Sequence, residues 1–323
     1  MKLKYFLYGL AVSLLLVSCY SEDALHADDD EYGAIRFNFP QGNNTWDDDI
    51  VKIADDFGIY IIYKDITIAD MNRSWITANY TYWADPFDSD ANIEWSVNFL
   101  RDHIFAHLTP EVIKGVFPPY YYLVQDCYYN LPPSTSYRFQ RNIFFNKMMP
   151  AGGMDFMLTC QIYTEEKMIE RGLNVADGKT PETPVEFWNR RGPILYPILR
   201  LAVSAGNIVV PAEFLEGFDY ITPINRNFPD PNNAWTRGMV TVSDLWGYFW
   251  QGTTRPTPEA NFFQYMHMTM FFNDEGLEEW WPEADYPFLR SKQRFVRDYL
   301  KQEYGLDLDA VRASGYSLTP FMN

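Results

Sequence analysis

Cysteine and histidine are scarce in this chain, at three and four among 323 residues. Cys19, Cys127 and Cys160 are spaced too widely for a paired metal-ligand pattern or a disulfide-stapled small scaffold. Basic residues are also few: 26 Lys and Arg stand against 43 Asp and Glu, a formal net charge of −17. That balance argues against a nucleic-acid partner, because phosphate backbones are bound by clustered cations. A Gly-x-Ser-x-Gly elbow, a phosphate loop and a dinucleotide fingerprint are all missing. Beyond the first residues no apolar run approaches the ~20 needed to cross a bilayer as a helix.

What is present starts at the N-terminus. Lys2 and Lys4 precede an apolar run from Phe6 to Val17, which is too short for a membrane span and has the layout of a secretory signal. Leu16-Val17-Ser18-Cys19 looks like the lipobox of bacterial lipoproteins, in which the cysteine thiol is alkylated by diacylglycerol. An ordinary cleavage site with a cysteine beside it by chance is the competing reading. The expectation is a signal peptide over residues 1–18 and a lipidated Cys19 as the link to the bilayer. Residues 19–34 are dense in Asp and Glu and read as a solvated tether that also contains His26. Acid this close to the lipid resembles the signal that carries some lipoproteins to the outer face of the outer membrane, and a plain spacer fits equally well. The expected place is the outer membrane, surface-exposed, with the periplasmic face as the alternative.

Residues 35–323 form one globular body by size. Apolar spacing predicts a helix over Asp47–Phe57, capped by Thr45 and Asp48, feeding a strand at Ile59–Tyr63. A helix over Ser89–Leu108 and a strand after Pro118-Pro119 follow. The stretch from Asn130 to Met154 reads as loop and edge strand. Glu186–Ser204 reads as an apolar helix damaged or bent by Pro193 and Pro197. Val242–Trp250, Glu259–Phe272 and Pro287–Tyr304 are further helices, the last closed by Gly305. Mixed helices and strands without strict alternation make the class α+β. Cys127 and Cys160 each sit in a strand-like run, so a cross-link between neighbouring strands and two buried thiols are both open readings.

Few constellations could carry chemistry. His103 and His107 have the i,i+4 spacing of a zinc-binding helix, but Ile104 stands where the water-activating glutamate of His-Glu-x-x-His belongs. They are weak metal candidates, more simply read as packing histidines. His267, within Tyr265-Met266-His267-Met268, reads as helix packing. Trp280-Trp281, Trp246 and Tyr120-Tyr121-Tyr122 are candidates for a sugar or peptide platform, or for core.

The order of three blocks resembles a known family. They are Asp47–Ile50 through Lys64, Phe99–His103 through Val124, and Phe295–Leu300 with Gly305–Leu308. The chain is similar to zinc-binding metallopeptidase lipoproteins, including the zinc metallohydrolases that accompany SusC/SusD-type outer-membrane importers. The resemblance implies a zincin-like α+β fold. In that family a helix carries His-Glu-x-x-His followed by Ile-Leu. Here the corresponding stretch is Gly192-Pro193-Ile194-Leu195-Tyr196-Pro197-Ile198-Leu199, followed by Pro211-Ala212-Glu213-Phe214. Pro193 and Pro197 thus stand for the two histidines, Ile194 for the glutamate, and Gly247 for a later acidic ligand. The implication is a degenerate member with no catalytic residue and no cofactor. Its expected role is a non-catalytic accessory of a SusC/SusD-type nutrient importer that binds a peptide, a glycan or an importer component. The alternatives are an active metal-dependent or carboxylate-based hydrolase with a non-standard site, and a glycan-binding module.

Overall fold

The computed structural model describes residues 35–72, 81–130, 155–170, 172, 174–175, 179–224, 234–240 and 256–312. The leader, Cys19, His26 and the rest of the tether, residues 131–154, Trp246, Gly247 and the Val242–Trp250 helix lie outside them. The chain divides into Met1–Phe39, of which only 35–39 are described, and Pro40–Asn323, which carries the helices and strands.

Helix α1 (Thr45–Phe57) feeds strand β1 (Tyr60–Ile62). Its cap is Asn44, not Thr45 with Asp48 as the sequence suggests. The Asn44 N–H donates to the Asp47 carboxylate at 2.8 Å. Asp47 takes this role because its other oxygen accepts the Tyr63 hydroxyl at 2.6 Å, tying the first helical turn to the end of β1.

Strands β1, β3 (Tyr120–Asn130) and β4 (Phe156–Cys160) run parallel, with Tyr60 opposite Tyr120 and Tyr120 opposite Phe156. Parallel strands are covered on both faces and so read as continuous apolar runs. Accordingly Ile61, Ile62, Tyr121, Tyr122, Leu123, Phe156 and Leu158 are all but fully buried. Strand β2 (Thr81–Asp85) joins the later half of β3 antiparallel. Between the Trp83–Tyr128 and Asp85–Gln125 pairs the register shifts, so that Asp126 and Cys127 stand opposite Ala84 alone. Asp126 takes φ 51° there. This β-bulge lies where the parallel part of β3 meets the antiparallel part.

Between β1 and β2 lies the one-turn helix α2 (Ile68–Met71). Helix α3 spans Asp90–His103 and stops short of the expected Leu108. Phe105–His107 tighten into a 3-10 turn, with His107 N–H bonded to Ile104 O at 3.1 Å. Pro110 then opens the short helix α4 (Pro110–Ile113). A residue before proline is forced out of the helical region, and Thr109 is extended at φ −117°, ψ 149°. After β4 come α5 (Glu165–Glu170) and the long helix α6 (Pro184–Ala205), capped by Thr183 with Glu186 and closed by Gly206 at φ 82°.

The expectation that prolines interrupt α6 is corrected: the helix runs unbroken through Pro193 and Pro197. Two interior prolines cost about 6 kcal/mol between them. Against this, Trp188, Ile194, Leu195, Tyr196, Ile198 and Leu199 are buried, together worth on the order of 10 kcal/mol. Burial wins, and packing holds the helix that local propensity would break.

The short α7 (Ala212–Leu215) follows. Helix α8 (Pro258–Phe271) is buried on every side from Asn261 to Phe271, so it is the axis of the helical half. It packs with α6, with α10 (Pro287–Tyr304) and with α11 (Leu308–Val311), while α9 (Asp274–Trp280) links α8 to α10. The class is α+β, as the sequence indicates.

Candidate functional site

The stretch that stands for the zinc helix lies in the middle of α6, against α8. Ile194, Leu195 and Ile198 are fully buried, and Pro193 and Pro197 are half-buried. Trp188 donates its indole N–H to Met270 O at 3.2 Å and its ring lies 4.7 Å from Phe271. Tyr196 fills the next turn, 4.7 Å from Phe263 and 4.5 Å from His267. Burial pushes the His267 imidazole down to about 3, so it is neutral at ordinary pH.

Catalytic zinc takes about three protein ligands and keeps a water beside a general base. Proline and isoleucine side chains have no lone pair to give, so positions 193, 194 and 197 do not fit the ion. Among the described residues no group of three His, Cys, Asp or Glu side chains is placed to hold a metal.

His103 and His107 do not share a helix face, because α3 ends at His103 and His107 belongs to the 3-10 turn. The His103 ring stacks on Phe187 at 4.4 Å, and its Nδ1 lies 3.4 Å from Arg191 Nη1. A guanidinium can only donate, so Nδ1 accepts and the neutral ring's proton is assigned to Nε2. Arg191 is buried; its Nε donates to Val311 O at 2.5 Å and its Nη2 to Arg312 O at 2.9 Å. Burial lowers the His103 pKa first and the Arg191 charge lowers it further. The same two causes, in that order, push His107 down to about 4. Arg191 itself is pushed down to about 10 by burial. This cluster already contains a cation, the opposite of what a metal ion requires.

A cleft of about 590 Å³ opens elsewhere, between the turn after β1, the end of β2 and the first turn of α3. Met71, Ile93, Leu123 and Val124 give it an apolar floor, and Asp65, Asp85, Asp88 and Asp90 bring carboxylates to its lining. Asp88 is set by the sheet: its N–H donates to Gln125 Oε1 at 3.2 Å, and Asn92 donates to its Oδ1 at 2.6 Å. The Gln125 side chain first, then Asn92 and Ser89, hold its carboxyl below the usual range. Behind this wall the β3 bulge holds Asp126, whose Oδ1 accepts Thr164 N–H at 2.7 Å. Burial raises the Asp126 carboxyl, and Asp85 adds to the rise. Asp85 also lies 3.8 Å from Lys167 Nζ.

Sequence reasoning missed this cleft, because its lining comes from segments up to about sixty positions apart. The one local signal is the acidic run Asp85-Pro86-Phe87-Asp88-Ser89-Asp90. The aromatic platforms are mostly core: Tyr120, Tyr121, Tyr122 and Trp281 are buried.

No family model matches the chain, and no curated protein does. A crystal structure of a "putative zinc-binding metallo-peptidase" from Bacteroides caccae is similar to it, with a TM-score of 0.40 and 10% identity. The overlap covers 84% of this chain and 91% of that one. A likeness that distant assigns neither a site nor a chemistry.

Proposed function

We propose that this chain is a non-catalytic, lipid-anchored binding protein with a metallopeptidase-like body. In this reading Cys19 holds it at the cell surface, on the outer membrane, as an accessory of a SusC/SusD-type nutrient importer. The observation that carries the reading is the packing of α6, whose positions 193, 194 and 197 offer carbon where a metal enzyme needs imidazole and carboxylate. What the body retains is the cleft, apolar at its floor and carboxylate-bearing at its sides. That mixture suits an organic ligand rich in hydrogen-bond donors, such as a peptide or an oligosaccharide.

Two measurements test the reading. Protease treatment of intact cells is expected to remove the protein from the outer-membrane fraction, and a protected chain would contradict surface exposure. Titration of the purified chain with peptide and oligosaccharide pools is expected to give saturable binding without turnover, weakened at least about tenfold by Asp88→Asn together with Asp90→Asn. Release of cleaved products would instead establish an enzyme.

A further inference from the structure

Cys127 and Cys160 are fully buried thiols on the neighbouring strands β3 and β4. Strand register alone would keep them apart. Cys160 stands opposite Val124, so Cys127 lies three positions farther along β3, about 10 Å at the rise of a strand. The bulge removes most of that separation. With Asp126 at φ 51°, the chain turns so that the Cys127 N–H donates to Cys160 Sγ at 3.4 Å. Two bonds clamp the bulge to the chain leaving β4. The Tyr163 hydroxyl donates to Cys127 O at 2.7 Å, and Thr164 N–H donates to Asp126 Oδ1 at 2.7 Å. The amide nitrogen and Cβ of Cys127 hang on the same Cα, so the Cys160 sulfur is a close neighbour of the Cys127 side chain, and a small approach of β4 as it docks brings the two thiols together.

We infer that Cys127 and Cys160 close an intramolecular disulfide when the protein folds in the presence of a disulfide oxidant. One cysteine thiolate attacks a sulfur of the oxidant and releases its first thiol, leaving a mixed disulfide. The second thiolate displaces the oxidant's other half. The new S–S bond forms, the oxidant is reduced to two thiols, and these take up the two protons that the cysteines lose.

Timing follows from burial. The Cys160 thiol is pushed up to about 11 in the folded chain, so at neutral pH only about one molecule in ten thousand carries the thiolate. The bridge therefore closes while β4 is still docking, and a reduced folded chain resists oxidation. Once made, the bond pins the bulge behind the cleft wall formed by Val124 and Asp85. The chemistry needs only the oxidant, while its occurrence in the cell rests on the export reading of the leader.

Peptide mapping of the full chain tests the inference. In one arm, cells are lysed into denaturant with iodoacetamide and no reductant. In the other, purified reduced chain is refolded from denaturant in mixed reduced and oxidised glutathione. The expected result in both arms is one cross-linked peptide pair containing Cys127 and Cys160, with neither residue alkylated. Folded dithiol protein in the same buffer should oxidise at least about tenfold more slowly than refolding protein. Two alkylated cysteines after refolding, or cross-links only between chains, overturn the inference. A cross-link on refolding with alkylated thiols from cells would sustain it and count against export instead.

Discussion

Tyr196 on α6 meets His267 on α8 edge to face, their ring centroids 4.5 Å apart. The tyrosine stands between Leu195 and Pro197, so this turn of α6 is wedged against the core by an aromatic pair. The imidazole across from it is buried and held neutral.

Two imidazoles held neutral by burial, His267 and His107, make the fold sensitive to acid. An imidazole titrates near 6.5 in an unfolded chain, while His267 and His107 are pushed down to about 3 and about 4 in the fold. The unfolded state therefore binds protons that the folded state refuses. The stability tied to them is complete above about pH 6.5 and falls as pH drops through that value toward the folded values. For fully buried His267 the loss between pH 7 and pH 5 is on the order of 2 kcal/mol. Asp126, raised by burial, works in the opposite direction. Urea unfolding at the two pH values is expected to show a smaller acid loss for His267→Gln than for the parent chain. An unchanged pH dependence would count against the assignment.

Burial holds α6 helical through its interior prolines. Pro197→Ala restores the N–H that Pro193 O lacks, at the cost of a more flexible unfolded chain, and is expected to raise stability by about 2 kcal/mol, with a higher melting temperature. Ile194→Glu places a carboxyl in the core without a partner and should cost about 3 kcal/mol or more. A tolerated Ile194→Glu would show that position 194 faces a polar cavity.

Arg191 is expected to organise the chain around Val311 and Arg312. Arg191→Met removes the donors to their carbonyls and should destabilise by about 2 kcal/mol. It also removes the charge that holds the His103 pKa down, so that pKa should rise. The imidazole proton signals, followed by NMR against pH, give the readout. A His103 titration that does not move would mean that burial alone sets it.

Lys292 lies among phenylalanines, 5.3 Å from the Phe218 centroid and 5.6 Å from that of Phe288, with Nζ donating to Glu213 O at 2.9 Å. Gly238 backs onto the same rings, where a Cβ would come within 2.7 Å of Phe288 and φ is +71°. Gly238→Ala is therefore expected to cost about 2 kcal/mol, while Lys292→Met, which keeps the stem, should cost about 1. Chemical denaturation gives the comparison, and a larger loss for Lys292→Met would reverse this account of the cluster.

Much of the fold was legible in the sequence. Pro287–Tyr304 with Gly305 appears as read, because a strong apolar stripe and a left-handed stop act locally. The runs at Tyr60–Ile62 and after Pro118-Pro119 appear as strands for the same reason. Where the reading failed, distant contacts decided the outcome. Asp47 displaced Asp48 as the capping partner because Tyr63 reaches it from β1. The interruption expected at Pro193 and Pro197 gave way to burial against α8, and the helix continues through both. The bulge at Asp126 and the cleft were illegible, since a register shift is a property of two strands together. Arg191, central to the His103 cluster, carried no motif at all.

The central claim is that the α6 stretch cannot serve a metal, and metal content tests it most directly. Purified chain, equilibrated with equimolar zinc and passed through a desalting column, is predicted to retain well under one tenth of an ion per chain. Its melting temperature should be unchanged by a chelator. One zinc per chain, with a melting temperature that falls on chelation, would contradict the account.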